Sequence, residues 1–221
     1  MPTNGGLIGK ETHIKKVASN VTTTFNSSGI LNSAGALKAD LLIVAGGGGG
    51  GVSGGGAGGM RNLTSQTLPG GDLSITVGAG GTGIKSRSVA IPTGSSLGGN
   101  SSTIASPTAT LYLATGGGGG ANDNPGGGGG PGGDNGPAGG HGGDGGSGGG
   151  MSNTTPGGAG SGNQGGFSPV EGHDGGQLNA AAGTHGGGGA GEAGDTDGQA
   201  HGGDGAPSTI SGSDVTYAGG G

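Results

Sequence analysis

The chain has 221 residues, of which 71 are glycine and 10 proline; 26% are hydrophobic, with two Phe, two Tyr and neither Trp nor Cys. So low an apolar fraction excludes a conventional core outside the N-terminal half, and the missing cysteines exclude disulfides and thiolate metal sites. The formal net charge is −6, five of the seven Lys and Arg precede position 62, and none follows Arg87; this distribution excludes a nucleic-acid partner.

The first elements read as β-structure. Val17-Ala18-Ser19-Asn20-Val21-Thr22-Thr23-Thr24-Phe25 is rich in β-branched residues and predicts a strand. Asn26-Ser27-Ser28-Gly29 supplies a turn, and Ile30-Leu31 starts a short return. Asp40-Leu41-Leu42-Ile43-Val44-Ala45 is a continuous apolar run, too short for a helix, and predicts a buried strand. It runs directly into glycines 46–51. Ser74-Ile75-Thr76-Val77 does the same before Gly78-Ala79-Gly80-Gly81, and Thr110-Leu111-Tyr112-Leu113-Ala114-Thr115 before glycines 116–120. A flexible glycine linker explains any one of these runs. It does not explain their repeated junction with strands.

Beyond residue 116 glycine runs alternate with polar interruptions. From Gly127 to Gly148 every third residue is Gly, and the later part reads Gly139-Gly140-His141, Gly142-Gly143-Asp144, Gly145-Gly146-Ser147. Three residues per turn is the period of polyproline II, which has no internal hydrogen bonds. Two bare edges out of three let such helices pack side by side, bonded through their backbones and through Cα–H···O contacts. Collagen needs one Gly per triplet and Pro-rich partners, and this register breaks at Met151. The interruptions at 121–125, 151–156, 167–174, 177–185, 192–201 and 206–217 carry Asn, Asp, Ser and Pro, which is turn chemistry. They are expected to be exposed reversals at the ends of the bundle.

The expected fold is therefore mostly irregular and all-β: a small N-terminal β-region followed by a polyproline/polyglycine-II helix sandwich. Residues 1–45 would form a β attachment region, 46–120 a mixed strand and glycine-rich domain, and 121–221 the sandwich with exposed polar loops. The polar loop residues Asn122, Asp123, Asn124, Asn153, Thr154, Thr155, Glu171, His173, Asp174, Asp195, Asp197 and His201 suit sugar hydroxyls, and Phe167 or Tyr217 could stack on a sugar ring. The ordinary alternative is that they are turn residues kept soluble by their polarity.

Little in the sequence points to catalysis or to metal. Gly-X-Gly-X-X-Gly recurs because glycine does, the Lys of a phosphate-binding loop is missing from every glycine run, and no nucleophile, base and acid stand out. His141-Gly142-Gly143-Asp144 and His201-Gly202-Gly203-Asp204 echo the start of a calcium-binding nonapeptide, but Gly146 stands where that repeat needs an apolar residue. No enzyme activity, cofactor or metal is expected. The opening Met1-Pro2-Thr3-Asn4-Gly5-Gly6 lacks the charged and apolar regions of a secretory signal.

At Leu42-Ile43-Val44-Ala45 with 46–51, Gly54-Gly55-Gly56-Ala57-Gly58-Gly59-Met60-Arg61, Leu68-Pro69-Gly70, Ile75-Thr76-Val77-Gly78-Ala79-Gly80-Gly81 and Gly99-Asn100-Ser101-Ser102-Thr103-Ile104, the chain resembles the glycine-rich domain family of bacteriophage virion and tail proteins. The likeness is best over 17–120, and the remainder matches by composition. The chain is also similar to the tail-fibre adhesins of T-even-like phages, whose tips pack polyglycine II helices and display variable loops. It lacks the Trp of their attachment domain, so the same docking to a fibre is not implied. The snow-flea type of antifreeze protein shares the packing but uses disulfides.

The resemblance implies a non-catalytic fibre or tip protein on the virion surface. Its loops would recognise a host glycan or outer-membrane protein. Its N-terminal third, with Lys10, Lys15, Lys16 and Lys38, would join other virion proteins or sister subunits, with a homotrimer as the expected assembly. The alternative is a purely structural subunit of a virion-decorating or extracellular filament, in which the loops would meet other copies.

Overall fold

The computed structural model describes residues 21–84, 97–121, 140–152, 158–177, 183–197 and 200–221. Among these residues there is no helix; eight strands are joined by glycine-rich segments. Strands β1 (Gly29–Ser33), β4 (Gly71–Thr76), β5 (Ser102–Ala105) and β6 (Thr110–Ala114) form an antiparallel sheet in the order β1-β4-β5-β6. β2 (Leu37–Val44) pairs with β3 (Met60–Leu68), and β7 (Ala206–Ser208) with β8 (Val215–Tyr217).

The apolar runs at Asp40, Ser74 and Thr110 lie in strands, as their composition predicts. Their side chains meet in one small core of Ile43, Ala45, Leu68, Leu73, Ile75, Ile104 and Ala114. Residues 21–25 are not a strand. The edge of the four-stranded sheet is taken by β1, after the Asn26 turn, and Phe25 packs against the core instead. Residues 17–20 lie outside the described residues.

The longest strand, β3, is polar, and its pattern is broken by a bulge. Ala39 pairs with Gln66 and Leu41 with Leu63, so Thr64 and Ser65 together face Asp40. Ser65 adopts a left-handed φ of 53°, and its N–H donates to Asp40 Oδ1 at 2.7 Å. The extra residue moves the inward phase from Leu63 to Gln66 and Leu68. The 206–217 interruption, expected as a polar reversal, is the β7–β8 hairpin, tied to β3 by Asn62 Nδ2 donating to Ser208 Oγ at 3.3 Å.

β2, β4 and β6 continue into glycine segments, β3 and β5 begin from them, and these segments hold one another through backbone hydrogen bonds. Residues 45–51 show the rule. Ala45 and Gly48 donate to Gly59 and Gly56, Gly46 and Gly49 to Asn100 and Leu97, while Gly47 and Gly50 accept from Gly81 and Ile84, all between 2.6 and 3.0 Å. Each pair is three residues apart, and each serves a different neighbour. Residues 116–121 repeat it: Gly117 and Gly120 donate to Gly46 and Gly49, Gly118 and Ala121 to Ser147 and Gly150, and Gly116 and Gly119 accept from Gly146 and Gly143. The same spacing links 54 and 57 to 185 and 188, 148 and 151 to 173 and 176, and 187 and 190 to 221 and 218.

Glycine is required here by close approach. A Cβ on Gly118 would overlap the carbonyl of Gly143, and one on Gly116 the carbonyl of Gly99. Bonds such as Gly118 to Ser147, Ala57 to Gly188 and Gly221 to Gly55 carry the array across residue 120. Residues 46–120 and 121–221 thus share one hydrogen-bonded body.

The array has two unlike ends. Strands enter and leave at one of them, where Ala45, Gly59, Asn100 and Thr115 meet. At the other lie Ile84 beside Gly50, Leu97 beside Gly49, Ala121 beside Val52, Gly140 beside Ser152, and Met151 beside His185.

Candidate functional site

The candidate residues do not gather in one place. Asn122, Asp123, Asn124, Asn153, Thr154 and Thr155 lie outside the described residues. Phe167, Glu171 and Tyr217 sit at the strand end, Asp195 and His201 at the opposite end, and the Asp197 carboxylate lies with those of Glu192 and Asp204. His173 and Asp174 belong to a glycine segment between them, with His173 N–H donating to Gly189 O at 3.0 Å.

Two of the expected loop ligands are buried, which corrects the reading of them as exposed. Glu171 is 0% exposed. Its Oε2 accepts Thr115 N–H at 2.9 Å, its Oε1 accepts Gly165 N–H at 3.2 Å, and its own carbonyl accepts Met60 N–H at 2.7 Å. This carboxylate pins the 163–171 loop to the start of β3 and the end of β6. Asn163 Oδ1 assists by accepting from the N–H of Phe167 and of Glu171. One face of the Phe167 ring is taken by the Arg61 guanidinium, 3.8 Å from its centroid, while Arg61 Nη1 donates to Leu113 O at 2.9 Å.

Asp195 is also turned inward, because its backbone takes a left-handed φ of 63° and its carboxylate meets buried partners. Oδ2 pairs with His185 Nδ1, and Oδ1 accepts the N–H of Gly186 at 3.0 Å and of Ala200 at 2.9 Å. These bonds hold Asp195 and Ala200 against the glycine array. Nothing in the sequence announces it, since His185 and Asp195 lie in separate polar insertions.

The residues left facing solvent are Asp174, Asp197 and His201, with His173 and Tyr217 half-buried. Asp197 converges with Glu192 and Asp204, their carboxylate oxygens within 4.8 Å of one another. Nothing else at this like-charged group points to an ion. His141 and Asp144, the other half of the calcium echo, are spent locally: Asp144 Oδ1 accepts Ser161 N–H at 2.6 Å, and His141 borders Gly158.

Asp174 opens on a concavity. A groove of about 540 Å³ runs between residues 159–161 and 193–196, with Gly175 at its floor and Ser161, Asp174, Gln177, Asp195 and Thr196 among its lining. Asp174 Oδ1 accepts Gly162 N–H at 2.7 Å, and Thr196 Oγ1 donates to Ala193 O at 3.1 Å. Ser161, Gln177 and Thr196 were not singled out by sequence, because the groove is assembled from three non-consecutive segments that only the array brings together.

No curated protein and no solved structure matches this chain significantly. The family comparison does match, and over residues 22–221 it identifies a glycine-rich domain. The match takes in the later half of the chain as well as the strands. The strand-to-glycine junctions and the backbone-bonded array are thus features of a chain that belongs to the glycine-rich domain family.

Proposed function

We propose that this protein is a non-catalytic tip or fibre protein of a phage virion that recognises the host cell surface, with a polyglycine-II sandwich as its scaffold. The observation that carries the proposal is the asymmetry of the array: β-sheets close one end, while the other, where Ile84, Leu97, Ala121, Gly140 and Ser152 lie, carries no strand among the described residues. Backbone pairing at every third residue is what polyproline II helices packed side by side would make. A body held this way is stiff, and stiffness suits it to holding loops at a distance from an attachment point.

In this reading the strand end faces the particle. It carries the small core, Lys38 on β2, and exposed apolar side chains at Val21 and Ile30 that would meet sister subunits or other virion proteins. The strand-free end faces the host, with His201 among its exposed groups. Glu171 and Asp195 serve the scaffold. The virion setting and the trimer rest on the resemblance to phage proteins.

Cryo-electron microscopy of the particle that carries this chain tests the proposal. The expected result is density at a distal tip with the strand-free end unoccupied by other copies. Copies stacked end to end, with that end buried between them, would make the chain a filament subunit and overturn recognition.

A further inference from the structure

We infer that the groove between residues 159–161 and 193–196 binds a neutral, hydroxyl-rich sugar of the host surface; the inference rests on the recognition function proposed above. Its volume of about 540 Å³ falls in the range of small-ligand sites and suits a mono- or disaccharide.

The chemistry of the lining selects the class. No large apolar side chain lines the groove, so an acyl chain or an aromatic ligand gains nothing there. No Lys or Arg lines it either, and the exposed Asp174 carboxylate would repel a phosphate or a uronic acid. Sugar hydroxyls need donors and acceptors side by side. Asp174 offers acceptors in a fixed direction, because its Oδ1 is anchored on Gly162 N–H. Gln177 offers both an amide donor and an acceptor, and the hydroxyls of Ser161 and Thr196 offer both as well.

The walls are rigid. Asp195 lines the groove but spends its carboxylate on His185, Gly186 and Ala200, so it shapes the site without filling it. Gly175 and Gly194 are buried in the wall, their side-chain positions turned against the backbones of Gly149 and Gly186, so the groove surface there is main chain held by the array. Such preorganisation lowers the ordering cost of a weak polar ligand.

Saturation-transfer NMR on the full chain tests the inference. The probes are the methyl glycosides of glucose, galactose and mannose, N-acetylglucosamine and lactose, with glucuronate and inorganic phosphate as anionic controls. At least one neutral sugar should bind saturably, and neither anion should. Amide shifts should map to Ser161, Asp174, Gln177 and Thr196. Asp174→Asn, which keeps an oxygen for Gly162, should weaken binding about tenfold, and Thr196→Trp should abolish it by filling the groove.

Silence from every neutral sugar, equal binding of the anions, or shifts confined to other residues would overturn the inference. The shift map needs no variant, so a misfolded substitution cannot blur the answer. A chain that adsorbs to host cells yet binds no sugar would refute the groove and leave recognition standing. One that binds sugar yet does not adsorb would keep the groove and refute recognition.

Discussion

The strand end and the glycine array solve the same problem with different currencies. Around Leu68 and Leu73, each 1% exposed, stability comes from apolar area removed from water. Around Gly118 there is almost no side chain to bury, and the backbone is held by hydrogen bonds to three neighbouring segments. Each such bond contributes about 0.5–1.5 kcal/mol net, against about 1–2 kcal/mol to fix a residue's backbone. The array therefore needs many bonds made together, and it tolerates added atoms less well than missing ones. A hydrophobic core is hurt in the opposite sense, by deletion.

The sharpest test is to add atoms. Gly118→Val should destabilise by more than about 4 kcal/mol in thermal or urea unfolding, because its branched side chain meets the Gly143 backbone, which cannot move aside. Gly80→Ala is the control: its Cβ would meet only Gly47 O at 3.5 Å, and stability should stay within about 0.5 kcal/mol. Equal effects at the two positions would break the contrast.

Deletion should dominate at the strand end. Leu73→Ala should cost about 3 kcal/mol by leaving a cavity among Ile75, Ile104 and Ala114. Because Ala45, Thr115 and Gly59 join core to array, this loss and that of Gly118→Val should lower a single unfolding transition. Two separated transitions by calorimetry would mean that the regions fold independently.

Asp195→Ala probes the few side chains the array does use. The buried N–H of Gly186, the part-buried N–H of Ala200 and His185 lose their partner, and the expected cost is about 2 kcal/mol, with faster amide exchange at Gly186 and Ala200. The smallest effect has the opposite sign. Ser147 is 0% exposed, and its Oγ has no hydrogen-bond partner among the described residues. Ser147→Ala should stabilise by up to about 1 kcal/mol, and a loss of stability on urea titration would show that the hydroxyl is satisfied after all.

Legibility followed the same division. β2, β4 and β6 could be read because an apolar run next to glycine has one physical meaning. β3 could not, because the Asp40–Ser65 bulge shifts its phase midway and its polar residues hide the alternation. β5 hides differently: Ser102 points inward as a staple, donating to Val44 O at 2.8 Å and accepting Gly78 N–H at 2.9 Å. The β7–β8 hairpin is so short that turn chemistry dominates its sequence.

The candidate site was less legible still. Polarity marks a residue as a loop residue without saying which way it points, and Glu171 and Asp195 point inward. Their carboxylates find backbone N–H groups that the glycine array leaves at its margins. Asp174 was singled out by composition. Its companions Ser161 and Thr196 were not, because they reach the groove from segments 35 residues apart in number.

What the sequence determined by itself is the kind of cohesion available: with 71 glycines and so few apolar side chains, backbone pairing had to replace a core outside the strands. Composition and the three-residue register carry that, because both are local properties of the chain. Which segment lies beside which was decided only in three dimensions. Glycine segments carry almost no side-chain code, so their neighbours are fixed by the strands that feed them and by rare buried contacts such as Glu171 to Thr115 and Asp195 to His185.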